Sequence, residues 1–274
     1  MALAGAGEGA QGPQMSWLSA RVALLCLLLP TVLQAEQLQT LTIMPGTPHE
    51  TPCYVKRGET PGPTVFIIGG MHGDETAGYL AARQLKAWTL TTGTLVLIPD
   101  SHASAIKAGQ RAYPTNMNTE FPGNPKGNGV QQTAAGIWTL LKRFKPDLLI
   151  TLHESVGFHH EQPRRFGQTL TYDFPELTPV FQPIIAEANR YLPEPRERFS
   201  LFVFPYPGSP TYCAGKYLKT AAVTVETCRK LPLARRVDQQ LLLCAIMMVR
   251  CGLRWEGGVR WPPPLSQNSP ETRP

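Results

Sequence analysis

A chain of 274 residues with 42% hydrophobic side chains can bury one sizeable core, near the upper end of what a single α/β domain holds. Its 26 Lys and Arg against 20 Asp and Glu leave a formal charge of +6, and the basic residues are scattered rather than gathered into runs. This argues against a dedicated nucleic-acid surface and fits a mildly basic enzyme acting on acidic substrates.

The first expected element is a targeting signal. Met15 to Ala35, MSWLSARVALLCLLLPTVLQA, has one Arg, then an apolar stretch, then a small residue ahead of Glu36, the layout of a secretory signal peptide. Val22 to Leu33 is broken by Pro30 and is short for a bilayer span, so no stable membrane anchor is expected. Residues 1–14 add nothing to such a signal, which places the expected start of translation at Met15 and assigns 1–35 to the leader. Export to the periplasm or the exterior follows. Leu25 stands before Cys26 where a lipidation signal needs a small residue, so lipidation is not expected. The remaining cysteines, Cys53, Cys213, Cys228, Cys244 and Cys251, match no zinc-ribbon spacing and are expected as small buried hydrophobes, with room for one bridge.

A catalytic domain is expected over 36–255. Leu38 to Ile43 and Pro52 to Lys56 read as short strands. Thr64 to Gly70, TVFIIGG, reads as a strand buried on both faces, followed by a polar turn at His72 to Thr76 and a helix over Ala77 to Trp88. Gly93 to Pro99 is a second buried strand, so the three elements form a βαβ unit with a parallel pair. Residues 101–129, rich in Gly, Pro and Asn, read as a long loop, and loops of that length inside a domain are usually functional. Next come a helix at Val130 to Phe144, a strand at Asp147 to Leu152, a surface helix at Pro175 to Leu192, strands at Leu201 to Pro205 and Ala221 to Val225, and a helix at Leu233 to Cys251. The tail 256–274, with its prolines, is expected to be unpacked. The sum is a three-layer α/β/α sandwich around a mixed, largely parallel sheet, with reactive residues at the carboxyl ends of its strands.

Three of those strands lead to metal-competent residues: TVFIIGG to His72 and Glu75, DLLITL to His153, and AAVTV to Glu226. Two imidazoles and a carboxylate hold zinc at three positions and leave the fourth for water, the pattern of a catalytic site. The His-x-x-Glu spacing is common by chance, and it gains weight from its place after a buried strand and from the second His. One zinc ion is therefore expected on His72, Glu75 and His153. Glu226, if it faces that ion, can take a proton from water and deliver it to a leaving nitrogen.

In this order and on these elements, the set resembles the zinc carboxypeptidase superfamily. The phrases GGMHGDETAG and GSPTYCAGKYLKTAAVTVET are similar to its succinylglutamate desuccinylase and aspartoacylase branch, with the likeness running from about Thr64 to Leu253. The resemblance assigns the long loop too. Family members carry an Arg followed by Asp-Leu-Asn-Arg-x-Phe-Pro-Gly, and here Arg111 precedes Asn116-Met117-Asn118-Thr119-Glu120-Phe121-Pro122-Gly123. It implies that Arg111 polarises the scissile carbonyl and that Asn118 touches a substrate carboxylate. Thr119 departs from the family, which has a carboxylate-gripping Arg there. Arg165, with its neighbour Arg164, is the candidate replacement, and Tyr212, ahead of Tyr206, is the candidate for the family's tyrosine proton donor. Glu154 is expected to support the site, and His159 and His160 to be exposed loop residues.

Three functions compete. The first is an exported metallocarboxypeptidase on small peptides, with cell-wall peptides as one class. The second is an N-acyl amino acid deacylase, and the third a non-catalytic zinc-binding protein. Glu226 and Arg111 speak against the third, since a binder needs neither a proton shuttle nor a carbonyl polariser.

Overall fold

The computed structural model describes residues 37–256; the expected leader and most of the expected tail lie outside them. The chain opens with a hairpin of β1 (Gln37–Ile43) and β2 (Thr51–Arg57), then enters β3 (Thr60–Ile68), α1 (Thr76–Leu85) and β4 (Thr89–Ile98). Next come α2 (Ala103–Ala108), α3 (Gly129–Phe144), β5 (Leu148–Ser155), β6 (Thr169–Tyr172) and α4 (Thr178–Ala188). The order ends with β7 (Ser200–Val203), α5 (Pro210–Cys213), β8 (Ala221–Cys228), α6 (Leu233–Cys251) and β9 (Arg254–Glu256).

Among the described residues one sheet takes all nine strands, in the order β1-β2-β4-β3-β5-β8-β6-β7, with β9 pairing the start of β4. Its centre, β4-β3-β5-β8, is parallel, as buried apolar runs joined by crossover helices require. The period of two splits the core cleanly. Val65 and Ile67 of β3 face the layer of α1, α4 and α6, while Phe66 and Ile68 face α3 and the hairpin. The result is the expected three-layer α/β/α sandwich. Each fully buried Ile or Phe on β3 contributes about 1.5–3 kcal/mol by leaving water.

Several expectations are revised. Residues 101–129 are not all loop, for they hold α2 and a single 3-10 turn at Met117–Thr119. β6 was not foreseen: in Thr169–Tyr172 hydroxyl residues alternate with Leu and Tyr, yet all four are buried because β8 and β7 flank them. β5 and β8 run on to Ser155 and Cys228, so His153 and Glu226 lie within strands rather than just beyond them. Glu256, expected in the tail, lies in a strand, since Arg254–Glu256 pairs with β4 and Trp255 stacks on Trp88 at 4.8 Å. All five described cysteines are free, and burial pushes the thiols of Cys53 and Cys251 up to about 12 and about 11. Among the described residues no helix is long and apolar enough to cross a membrane.

Candidate active site

The turn between β3 and α1 brings the first two candidates together. Gly73, between them, lies so close to α2 that a Cβ there would strike the Ala105 backbone, and its N–H donates to Gln110 O at 2.9 Å. That contact also brings Arg111 to the site. Glu75 occupies the N-cap position of α1, but its carboxylate does not cap the helix. Glu154 from β5 does so instead, its Oε2 accepting the Ala77 N–H at 2.9 Å and its Oε1 bound by Arg236 of α6. The Glu75 carboxylate is thereby free for other work.

His72, Glu75 and His153 are buried to 1–2% exposure, and their donor atoms converge. Glu75 Oε1 lies 2.8 Å from His72 Nδ1, Glu75 Oε2 lies 2.8 Å from His153 Nδ1, and the two Nδ1 atoms are 3.2 Å apart. Atoms at such mutual distances can be shared ligands of one ion bound at about 2.0–2.1 Å. The proton on His72 can be assigned. Asn116 Oδ1 accepts the Asn118 backbone N–H at 3.0 Å, so the atom facing His72 Nε2 at 2.9 Å is an oxygen. His72 Nε2 therefore carries the hydrogen, and Nδ1 keeps the lone pair a metal needs. Burial lowers the His153 imidazole below its ordinary range, against the upward pull of Glu75, which leaves it neutral and able to ligate. Burial pushes the Glu75 carboxyl up, but the two imidazoles outweigh it and hold the group well below the usual carboxylate range. The donor set and its charges fit a divalent cation.

Glu226 stands directly across the β5–β8 ladder from His153, so the two side chains share a face. Burial, and then the negative Glu75, push its carboxyl well above the ordinary value, while Arg111 opposes them. Arg111 is half exposed and donates from Nη1 to Glu75 Oε1 at 2.6 Å. Glu226, Arg111 and Phe166 line both of two cavities, which makes them the divide between the lobes of one cleft. One lobe, about 220 Å³, is completed by Asn118, Thr171, Asp173, Phe204, Tyr206 and several hydroxyls. The other, about 300 Å³, is completed by Asp74, Glu154, Arg164, Arg165 and Arg229.

The structure thus brings His72, Glu75, His153, Glu226, Arg111, Asn118 and Arg165 to one cleft, and it leaves Tyr212 out. Tyr212 stacks on Phe174 at 5.6 Å and lines neither lobe, whereas Tyr206 reaches the cleft wall. The reason is the N-cap of α5: Ser209 Oγ accepts the Tyr212 N–H at 3.0 Å, starting a helix that carries Tyr212 onto Phe174 and against the core on the α3 side of the sheet. His159 is tied by Nδ1 to Arg165 O at 2.8 Å, and His160 packs on Phe158. The sequence alone assigns no role to three residues that lie at the site: Asn116, Asp173 and Arg229. Arg229 binds Asp74 at 2.9 Å, lies 3.9 Å from Glu75 Oε1, and keeps a buried Nε without a partner. Its place three residues beyond Glu226 was the available signal.

Residues 61–160 match the family described as the succinylglutamate desuccinylase/aspartoacylase catalytic domain. Over that stretch the chain is similar to the branch its sequence resembles. Within 105 residues it is 35% identical to the N-alpha-acetyl-L-2,4-diaminobutyric acid deacetylase of Halomonas elongata, a match covering 36% of this chain and 30% of that protein. Among solved structures, it resembles the mDAP-bound form of Helicobacter pylori Csd4, a D,L-carboxypeptidase, with TM-score 0.66, 22% identity, and coverage of 71% of this chain and 52% of that one. It also resembles the product-bound ectoine utilization protein EutE (DoeB) of Ruegeria pomeroyi, with TM-score 0.61, 22% identity, and coverage of 84% and 71%. At that identity the structural likenesses establish the fold alone. The chain spans about a third of its curated relative and about half of Csd4.

Proposed function

We propose that this protein is a zinc-dependent amide hydrolase of the desuccinylase/aspartoacylase branch. The observation that carries the reading is the convergence of His72 Nδ1, His153 Nδ1 and the Glu75 carboxylate, with Glu226 across the ladder from His153. Zinc, when bound, supplies Lewis acidity that brings the pKa of its water down toward about 7 and polarises a carbonyl.

The chain's own groups supply the rest. Glu226, whose carboxyl is raised by burial, accepts the proton of the attacking water and hands it to the leaving nitrogen, a role worth about two to four orders of magnitude in rate. Arg111, half open to the cleft, can turn a guanidinium N–H toward the carbonyl oxygen as charge grows there. The carboxylate-gripping task that Thr119 cannot perform falls to Arg229 or Arg165 in the larger lobe.

Deacylation of an N-acyl amino acid is the first reading, supported by the family match and by the deacetylase relative. Peptide hydrolysis is the second, favoured by an aromatic strip leading out of the cleft, with Phe166, Phe202 and Phe204 at centroid spacings of 5.0–5.6 Å. The layout of Met15 to Ala35 supports export. The zinc-loaded protein should be assayed on N-acyl amino acids and on peptides with free or amidated C-termini. Release of acyl groups is expected. Cleavage confined to peptides, and blocked by amidation, would move the second reading to first, and no turnover of any amide would remove the hydrolase assignment.

A further inference from the structure

The two lobes of the cleft differ in charge. The larger contains Arg164, Arg165 and Arg229, whereas among the described residues the one cation lining the smaller is Arg111, which is engaged with Glu75 at 2.6 Å. In the larger lobe four carboxylates, Asp74, Glu75, Glu154 and Glu226, are matched by as many arginines once Arg111 is included, whereas in the smaller the two carboxylates Glu226 and Asp173 outnumber Arg111. Asp173 follows β6 directly and is 4% exposed. Its Oδ1 accepts the Tyr206 N–H at 2.7 Å, and the Thr211 hydroxyl supplies a second hydrogen bond. A carboxylate has about four acceptor positions, so these donors leave Asp173 with acceptor capacity toward the lobe it lines. Burial pushes its carboxyl up, and only those two neutral hydrogen bonds oppose the shift. A buried carboxylate without a cation is an electrostatic cost that a positively charged ligand removes.

The walls point the same way. Phe166, Phe204 and Tyr206 form a graded series of rings, with centroids 5.0 Å apart for the first pair and 6.2 Å for the second. Aromatic faces attract ammonium groups and disfavour anions. A carboxylate at the floor with aromatic rings beside it is a receptor for an amine.

We propose that the smaller lobe takes a cationic amine on the substrate's side chain, and that Asp173 sets this preference. The inference rests on the reading that the cleft is the substrate site. It also reverses the expectation, drawn from overall charge, of an acidic substrate. Both charge types are accommodated: the arginines of the larger lobe suit an anionic end and Asp173 a cationic one, so the preferred substrate is an N-acyl amino acid that carries both an α-carboxylate and a side-chain amine.

The test measures binding, so that it does not depend on turnover. N-methylsulfonyl derivatives of L-ornithine, L-norleucine and L-glutamate resist hydrolysis, and the first two have side chains of nearly equal length and shape. Their affinities for the zinc-loaded full chain are measured by titration calorimetry. The ornithine derivative is expected to bind at least about tenfold tighter than the norleucine derivative, and in Asp173→Asn the two affinities should converge to within about twofold. Zinc content and melting temperature serve as controls. If the Asn variant does not fold, Asp173→Ser, which keeps an acceptor, replaces it. Equal binding of the ornithine and norleucine derivatives by the parent, tightest binding of the glutamate derivative, or a preference that survives the substitution each overturns the proposal. Parallel assays on the N-acetyl compounds separate the two claims. Hydrolysis without an amine preference leaves the amide-hydrolase reading standing, and an amine preference without hydrolysis leaves only this one.

Discussion

Replacing Asn116 tests whether the tautomer of His72 is held from outside the metal site. His72 is 1% exposed, and its Nε2–H donates to Asn116 Oδ1 at 2.9 Å. In Asn116→Ala the ring must either bury that N–H unpaired, at about 1–3 kcal/mol, or move the proton to Nδ1, where it competes with the metal. Either outcome falls on zinc binding, because the ion selects the tautomer that has become costly. Loss of an outer partner of this kind weakens metal affinity by about 10- to 100-fold, or about 1.4–2.7 kcal/mol. The same substitution removes the acceptor for the Asn118 N–H, so it will disturb the 117–119 turn as well. Asn116→Asp separates the two effects: it keeps both hydrogen bonds, adds a negative charge behind the ring, and should bind zinc at least as tightly as the parent. Equilibrium competition with a chelator gives the affinities, and melting curves with and without zinc show whether the loss is specific to the metal. Parental zinc affinity in Asn116→Ala would refute the tautomer argument.

Four further outcomes are expected. Glu226→Gln should lower kcat by about two to four orders of magnitude with zinc content intact, measured on any substrate the parent cleaves. The same variant carries a signature in the metal-free protein: a raised carboxyl favours folding fully below its unfolded value near 4.5, and loses that contribution as pH rises through the higher native value. Metal-free Glu226→Gln should therefore melt a few degrees above the parent at neutral pH, with the gap closing near pH 4; a constant gap would contradict the assigned shift. Tyr206→Phe should reduce kcat about tenfold or more and Tyr212→Phe by less than twofold, since only Tyr206 lines the cleft. Gly73→Ala should cost several kcal/mol in chemical denaturation and weaken zinc binding, because its methyl meets backbone atoms of α2 that cannot rotate away.

Much of the fold was legible because its central strands are continuous apolar runs. Val65 to Ile68, Leu95 to Ile98 and Leu148 to Leu152 are buried on both faces, and their composition says so without any partner in view. β6 was not legible, since Thr169 and Thr171 read as surface residues until β8 and β7 are placed beside them. The same division holds at the cleft. His72, Glu75, His153 and Glu226 are each anchored to a recognisable strand, whereas Asp173 depends on the unforeseen β6 and Arg229 on the unforeseen extension of β8. Asn116 stood in a phrase already singled out, but its bond to His72 spans 44 residues and could not be read from spacing. Tyr212 was preferred to Tyr206 for want of the Ser209 cap that directs it away.

One strand step accounts for how a metal ligand can sit at a helix N-terminus. A carboxylate at the N-cap ordinarily satisfies the first free N–H groups of its own helix, which would turn Glu75 away from the histidines. Consecutive residues on β5 point to opposite faces, so the chain that delivers His153 to the donor cluster delivers Glu154 to the layer of α1 and α6. Glu154 takes over the Ala77 N–H and is itself held by Arg236, while its backbone N–H donates to Glu75 Oε2 at 3.1 Å. That N–H steadies Glu75 in its ligating pose from the side opposite Arg111. The dipeptide His153-Glu154 therefore supplies one ligand and releases another, and the geometry of the cluster depends on strand alternation as much as on the identity of its three donors.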